Sequence, residues 1–184
     1  MSDAKPGSLL ARLQARREQA SASRTRDLTI GDLVVRYRRP TDESYYQAIN
    51  GPDAPPDSAS DETIREFLAD TLNRQIDMLI DACAGLYYTD GDGGVLPLAA
   101  SREDGDTEET LTFQYPEALE LVGGHPKGST RENTLAFFEI GAPDAGADAA
   151  KLHALALTTW RGESLAEVGD ILAKGPEARP SSGS

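Results

Sequence analysis

The sequence has little of several residue types on which protein chemistry often depends. Its 184 residues include one cysteine, two histidines, two methionines and one tryptophan. A single cysteine excludes an internal disulfide, and together with two histidines it provides too few ligands for a zinc site. No run approaches the roughly 18 consecutive apolar residues that a membrane-spanning helix requires. The N-terminus lacks the apolar core of a signal peptide, which favours a cytosolic protein.

Basic residues are also scarce, and half of them lie near the N-terminus. The net charge is -13. Residues 1–40 carry nine basic and four acidic side chains, a net of +5, whereas residues 41–184 carry nine and twenty-seven, a net of -18. The acidic body argues against nucleic-acid binding, because it would repel a phosphate backbone. A basic arm on an acidic body suggests association between copies of the chain, and an ordinary soluble surface with a frayed end is the alternative.

The clearest element that is present is a helix from Ser60 to Cys83. Ser60 stands where an N-cap is expected, and the two acidic residues after it face the positive end of the helix dipole. Apolar residues recur at spacings of three and four, which predicts one buried stripe along the helix; its members are Ile64, Phe67, Leu68, Leu72, Ile76, Leu79, Ile80 and Cys83. Because Cys83 belongs to this stripe, we expect a buried structural thiol.

Three segments precede this helix. Residues 1–26 are interpreted as a flexible basic arm with a short helix, in which Leu9, Leu10 and Leu13 share a face and three arginines lie nearby. Three leucines bury too little for membrane binding, so the arm is interpreted as a docking helix or a half-formed tail. Residues 27–49 are predicted to be a β-hairpin module with a Gly31-Asp32 turn, followed by a helical turn or two. The proline-rich residues 50–58 are predicted to be a linker.

Residues 59–175 are predicted to be a helical body. After the main helix, Tyr87 and Tyr88 enter a small hairpin, and residues 101–109 form an acidic loop. A short strand is expected at 110–115 and a brief helix at 116–122. Capping-box spacing predicts helix starts at Ser129 and Ser164, with a separate helix bearing Leu152, Leu155, Ala156, Thr159 and Trp160 between them. Residues 176–184 are predicted to be a disordered tail. The fold class is α+β and predominantly helical.

Residue patterns for reaction chemistry are weak. The Asp90-to-Gly94 run is similar to the start of a calcium loop, but the fifth position is glycine and the twelfth is serine, so a hairpin turn is favoured. His125 and His153 lack partners at ligand spacing, and no glycine-flanked nucleophile is present. We therefore expect no enzymatic activity, no metal and no cofactor. Trp160 is expected to cap the core near a helix end, and the outward-facing member of the tyrosine pair is a candidate for an interface.

Several segments follow one another in an order that resembles that of a known protein family. They are an Arg-rich helix at 11–17, a Leu-Val-Val-Arg-Tyr strand, a helix ending at 79–83 with Tyr87-Tyr88 and an Asp/Gly hairpin, a Leu-rich turn before 130–138, and a Leu-rich helix ending at Trp160. This order, over about residues 8–173, resembles the tail assembly chaperones of long-tailed bacteriophages that infect actinobacteria, or of related prophages. Insertions at 50–58 and 101–109 depart from that pattern.

The resemblance implies an assembly factor of the host cytoplasm that is absent from the mature virion. It would bind the tape measure protein, keep it soluble, recruit major tail protein subunits and form homo-oligomers. Candidate partner-binding residues are Arg12, Arg16, Arg17, Tyr87, Tyr88 and Trp160. Two alternatives remain open: a virion structural protein such as a head–tail connector or tail-terminator subunit, and a cytosolic binding module unrelated to phages.

Overall fold

The computed structural model describes residues 24–101 and 108–174, and for residues 164–174 it describes the backbone alone. Within these residues, six strands and five helices follow one another. The strands are β1 (Thr25–Ile30), β2 (Leu33–Arg38), β3 (Cys83–Thr89), β4 (Val95–Pro97), β5 (Ala99–Ser101) and β6 (Glu108–Thr110). The helices are α1 (Asp42–Ile49), α2 (Asp61–Ala82), α3 (Glu117–Leu121), α4 (Thr130–Gly141) and α5 (Gly146–Lys174). The α+β fold class is confirmed. The basic arm and its Arg12, Arg16 and Arg17, most of the acidic loop and the C-terminal tail lie outside the described residues.

The sheet has four antiparallel strands in the order β1-β2-β3-β4. The β1–β2 hairpin turns at Gly31-Asp32, as predicted, and Gly31 has a positive φ of 59°. β2 then pairs with β3, so that Val35 lies opposite Leu86 and both are fully buried. The sheet therefore joins strands of the predicted hairpin module (27–49) directly to strands of the predicted helical body (59–175). Residues 50–58 contain neither helix nor strand.

Helix α2 begins as predicted and is buried over only part of its length. The Ser60 side chain accepts a hydrogen bond from the Thr63 amide. Ile76 and Leu79 of the predicted stripe are buried, and so is Met78, whereas Leu68 is 56% exposed. The expectation of one stripe buried from end to end is thus wrong for the first half of α2. In that half Ile64 and Phe67 are only half-buried. The apolar period by itself does not tell how much of a helix its neighbours cover.

The segment after β4 forms a second small sheet. β5 pairs with β6 across the acidic loop, and β6 ends at Thr110. The strand predicted at 110–115 is therefore wrong. Only Thr110 of that range belongs to β6, and Leu111 and Phe113 are buried in the core. The brief helix expected at 116–122 is present as α3.

Helices α4 and α5 complete the core. Ser129 caps α4 by accepting from the Glu132 amide, as its capping-box spacing predicts. α5 runs without a break from Gly146 to Lys174, so the separate helix predicted to start at Ser164 is wrong. The predicted apolar face of α5 is also wrong in part: Leu152 and Leu155 are exposed. The face turned to the core carries Ala150, His153, Ala154, Leu157 and Trp160.

A polar pair lies within this core. The His153 ring has two hydrogen-bond contacts, Nδ1 with the Tyr37 hydroxyl at 3.0 Å and Nε2 with the Thr29 carbonyl at 3.3 Å. A carbonyl only accepts, so Nε2 carries the proton, and Nδ1 accepts from the Tyr37 hydroxyl. Burial lowers the pKa of His153 and raises that of Tyr37. The pair is neutral and satisfied, which explains why a histidine is tolerated there.

Candidate partner-binding surface

The surface with the strongest binding character is organised by a contact between two glycines. The Gly31 turn lies against the end of α4 so closely that a Cβ on Gly31 would be 2.5 Å from the Gly141 carbonyl oxygen. A Cβ on Gly141 would be 2.6 Å from the Ile30 carbonyl oxygen. Only glycine fits on either side, so the hairpin turn and the end of α4 are in direct backbone contact. A groove opens on each side of this contact, and Gly31 lines both.

The first groove, which we name the tyrosine groove, has a volume of about 660 Å³. Its exposed apolar side chains are Tyr88 (39% exposed), Leu121 (54%) and Ile140 (37%). They come from β3, α3 and α4, three elements that are distant in sequence. The other lining residues are Gly31, Asp32, Leu33, Pro97, Leu98, Ala99, Val122 and Gly141. Large apolar side chains gathered in one concave surface are typical of a protein-interaction site.

The lining of the tyrosine groove includes one carboxylate, that of Asp32. Among the described residues, Asp32 has no ion-pair partner. An apolar groove that holds an unpaired carboxylate favours an amphipathic partner with a positive charge beside its apolar face.

The second groove, the leucine groove, lies between β1 and α5 and has a volume of about 410 Å³. Leu152 is 66% exposed beside it. The groove is lined by Leu28, Thr29, Ile30, Gly31, Ala142, Ala149, Leu152, His153 and Ala156. Small alanines on α5 keep the groove open, and the lining is largely aliphatic. It too has the character of a docking surface for an apolar segment.

The three predicted site residues that the structure describes, Tyr87, Tyr88 and Trp160, are not brought together into one surface. Tyr88 lines the tyrosine groove, but Tyr87 points to the other face of the sheet. There the Arg36 guanidinium lies 4.6 Å from the Tyr87 ring centroid and donates to its hydroxyl at 3.1 Å. Asp27 binds the same guanidinium through both carboxylate oxygens, at 2.8 and 2.7 Å.

Trp160 is buried rather than presented to a partner. It is 5% exposed, and the guanidinium carbons of Arg26 and Arg39 lie 4.9 and 5.2 Å from its ring centroid. The expectation that Trp160 packs on the core is confirmed, but the expected helix end near it is wrong, because α5 continues to Lys174. The Trp160 ring is thus already occupied by two cation–π contacts within the chain.

Sequence reasoning missed most of the tyrosine groove. Leu121 and Ile140 carry no signal of exposure, because each belongs to a short amphipathic helix whose orientation depends on its neighbours. An acidic residue directly before each of them is the one sequence feature they share.

Groups with reaction chemistry are occupied by structural contacts. Burial raises the pKa of the Cys83 thiol to about 11, which keeps it protonated and unreactive at neutral pH. The Asp90 Oδ1 atom accepts from the Asp92 and Gly94 amides at 3.0 and 2.6 Å, which confirms the hairpin-turn interpretation of that run. In the described ranges, no cluster of three or more His, Cys, Asp or Glu side chains could hold a metal ion.

Comparison with protein-family models, with curated proteins and with solved structures found no match. In the part of the chain that the structure describes, no helix is long and apolar enough to cross a membrane.

Proposed function

We propose that this chain is a tail assembly chaperone of a long-tailed bacteriophage or prophage, acting without catalysis in the host cytoplasm. It binds the tape measure protein, keeps it in solution and helps to recruit major tail protein subunits. The observation that carries the proposal is the tyrosine groove, an open apolar surface whose lining includes the unpaired carboxylate of Asp32. The order of segments described above supports the family, and the groove supports the mode of binding.

The mode of binding follows from the geometry of the groove. A long amphipathic helix in water exposes an apolar stripe, which drives it to aggregate. Placing that stripe against Tyr88, Leu121 and Ile140 would remove it from water, and the Asp32 carboxylate would face a positive side chain beside the stripe. The net charge of -13 would keep a complex with many copies soluble.

The test is co-expression with a tape measure protein encoded beside this chain, followed by affinity capture. We expect the wild-type chain to hold the tape measure protein in the soluble fraction with many copies bound. Leu121→Glu places a charge in the tyrosine groove and should reduce capture at least tenfold. The matched control is Leu68→Glu, because Leu68 is almost equally exposed (56% against 54%) and lies on α2 outside both grooves. Circular dichroism melts verify that both variants fold.

Two outcomes would contradict the proposal. Failure of the wild-type chain to capture or solubilise the tape measure protein would reject the chaperone function. Equal loss of capture by both variants would reject the tyrosine groove as its site. Mass spectrometry of purified virions separates the alternative, since abundant copies in the mature particle would identify a structural protein such as a connector or tail-terminator subunit.

A further inference from the structure

The leucine groove presents one kind of chemistry to an occupant. Its floor is aliphatic, and Leu152 at its border is the most exposed large apolar side chain in the described residues. Two carboxylates follow lining residues closely in sequence: Asp32 comes directly after Gly31 and lines the tyrosine groove, and Asp144 comes two residues after Ala142. Neither has an ion-pair partner in the described part of the chain. A suitable occupant therefore combines leucine-like side chains with a cation near the Gly31 end.

The chain itself contains such a segment. Residues 8–20, which lie outside the described residues, hold Leu9, Leu10 and Leu13 together with Arg12, Arg16 and Arg17. In the helix that the sequence predicts there, the leucines share one face. Residues 8–20 carry three basic side chains and one acidic one, whereas the whole chain has a net charge of -13. Charge and hydrophobicity thus both complement the groove.

The distance along the chain also fits. β1 runs from Thr25 to Ile30, about 17 Å at 3.3 Å per residue, and the groove borders its last half from Leu28 onward. If the chain reverses within residues 21–24, a helix ending at residue 20 can lie beside β1. The helix rises about 1.5 Å per residue, and distances are counted back from residue 20, beside Thr25. Leu13 then lies about 10 Å along β1, opposite Leu28, and Leu9 lies about 16 Å along it, near Gly31.

We infer that residues 8–20 dock in the leucine groove of the same copy, with Leu13 against Leu28 and Leu152 and with Arg12 near Asp32 and Asp144. The docked segment covers Leu152 of α5 and leaves Tyr88, Leu121 and Ile140 of the tyrosine groove open. This inference concerns the chain alone and does not depend on the partner proposed above.

Disulfide trapping tests the inference on the full-length chain. We compare the double variant Leu13→Cys, Leu152→Cys with the control Leu13→Cys, Leu68→Cys, whose second position is also an exposed leucine, on α2. The native Cys83 is buried and reacts slowly in both. We expect the Leu152 pair to form a disulfide within one copy at least ten times faster than the Leu68 pair. Added salt should slow the Leu152 pair, because it screens the arginine–carboxylate attraction.

A further variant carries Arg12→Glu in the background of the Leu152 pair, and it should form the disulfide several times more slowly. Equal rates for the Leu152 and Leu68 pairs would overturn the inference, as would disulfides that form only between copies. An unchanged rate after charge reversal would contradict the assignment of Arg12 to the Gly31 end.

Discussion

The buried His153 predicts a specific loss of stability in mild acid. Its Nδ1 accepts from Tyr37 and its Nε2 donates to Thr29, so a second proton would break the contact with Tyr37 and place a charge in the core. Burial lowers the pKa of His153 in the folded chain below its ordinary value near 6.5. The unfolded chain therefore binds more protons below that pH, and the free energy of unfolding falls as the pH falls.

The magnitude follows from linkage. One proton bound by the unfolded state and not by the folded state costs roughly 1.4 kcal/mol per pH unit. Between pH 6.5 and pH 5.0 the contribution of His153 therefore reaches at most about 2 kcal/mol. Below the folded-state pKa both states are protonated, and no further loss from this group occurs.

Two variants isolate this effect from the titration of the carboxylates. His153→Gln keeps a donor and an acceptor without titrating, and His125→Gln is the control, since His125 is the other histidine and lies exposed in a loop. Urea unfolding at several pH values, followed by Trp160 fluorescence, gives the free energy for each chain. Between pH 6.5 and pH 5.0, the free energy of unfolding of the His153 variant should fall by up to about 2 kcal/mol less than that of the wild type. The control should follow the wild type. Equal pH slopes in all three chains would refute the neutral, buried state of His153.

Two predictions concern packing. Ile76→Ala should lower the free energy of unfolding by about 2–5 kcal/mol because Ile76 is buried, and Leu72→Ala should cost less because Leu72 is half-buried; equal urea midpoints for the two variants would contradict the description of α2. Gly141→Ala should cost about 1–3 kcal/mol, since its Cβ would meet the Ile30 carbonyl, whereas Gly91→Ala, with nothing within 4 Å, should stay within about 0.5 kcal/mol of the wild type. Thermal melts of both variants check this, and a neutral Gly141→Ala would show that the turn and the end of α4 do not touch.

Local signals in the sequence predicted the local structure well. The Gly31-Asp32 turn and the caps at Ser60 and Ser129 depend on residues close together in the chain, and the structure has all three. The capping-box pattern at Ser164 failed, because α5 continues through Gly162. A glycine inside a helix costs only about 1 kcal/mol, so Gly162 does not by itself end α5.

Which face of a helix is buried could not be predicted in the same way. The leucines of α5 suggested a core face through Leu152 and Leu155, but the core takes Ala150, Ala154 and Leu157 instead. Alanines allow α5 to lie close to its neighbours, and this advantage depends on elements that are distant in sequence. The tyrosine groove was unpredictable for the same reason, since β3, α3 and α4 each supply one of its exposed apolar side chains.

The position of β1 at the edge of the sheet has a consequence for the solubility of the chain. An edge strand offers backbone amides and carbonyls on one side to any other extended chain, which makes it a site for aggregation. In β1, pairing with another chain is disfavoured by the adjacent charges of Arg26 and Asp27, and each of these side chains is held in place by an ion-pair partner. The opposite edge, β4, has three residues and ends in Pro97, which has no amide hydrogen to donate. Copies crowded together are thus kept from joining their sheets into one continuous ribbon.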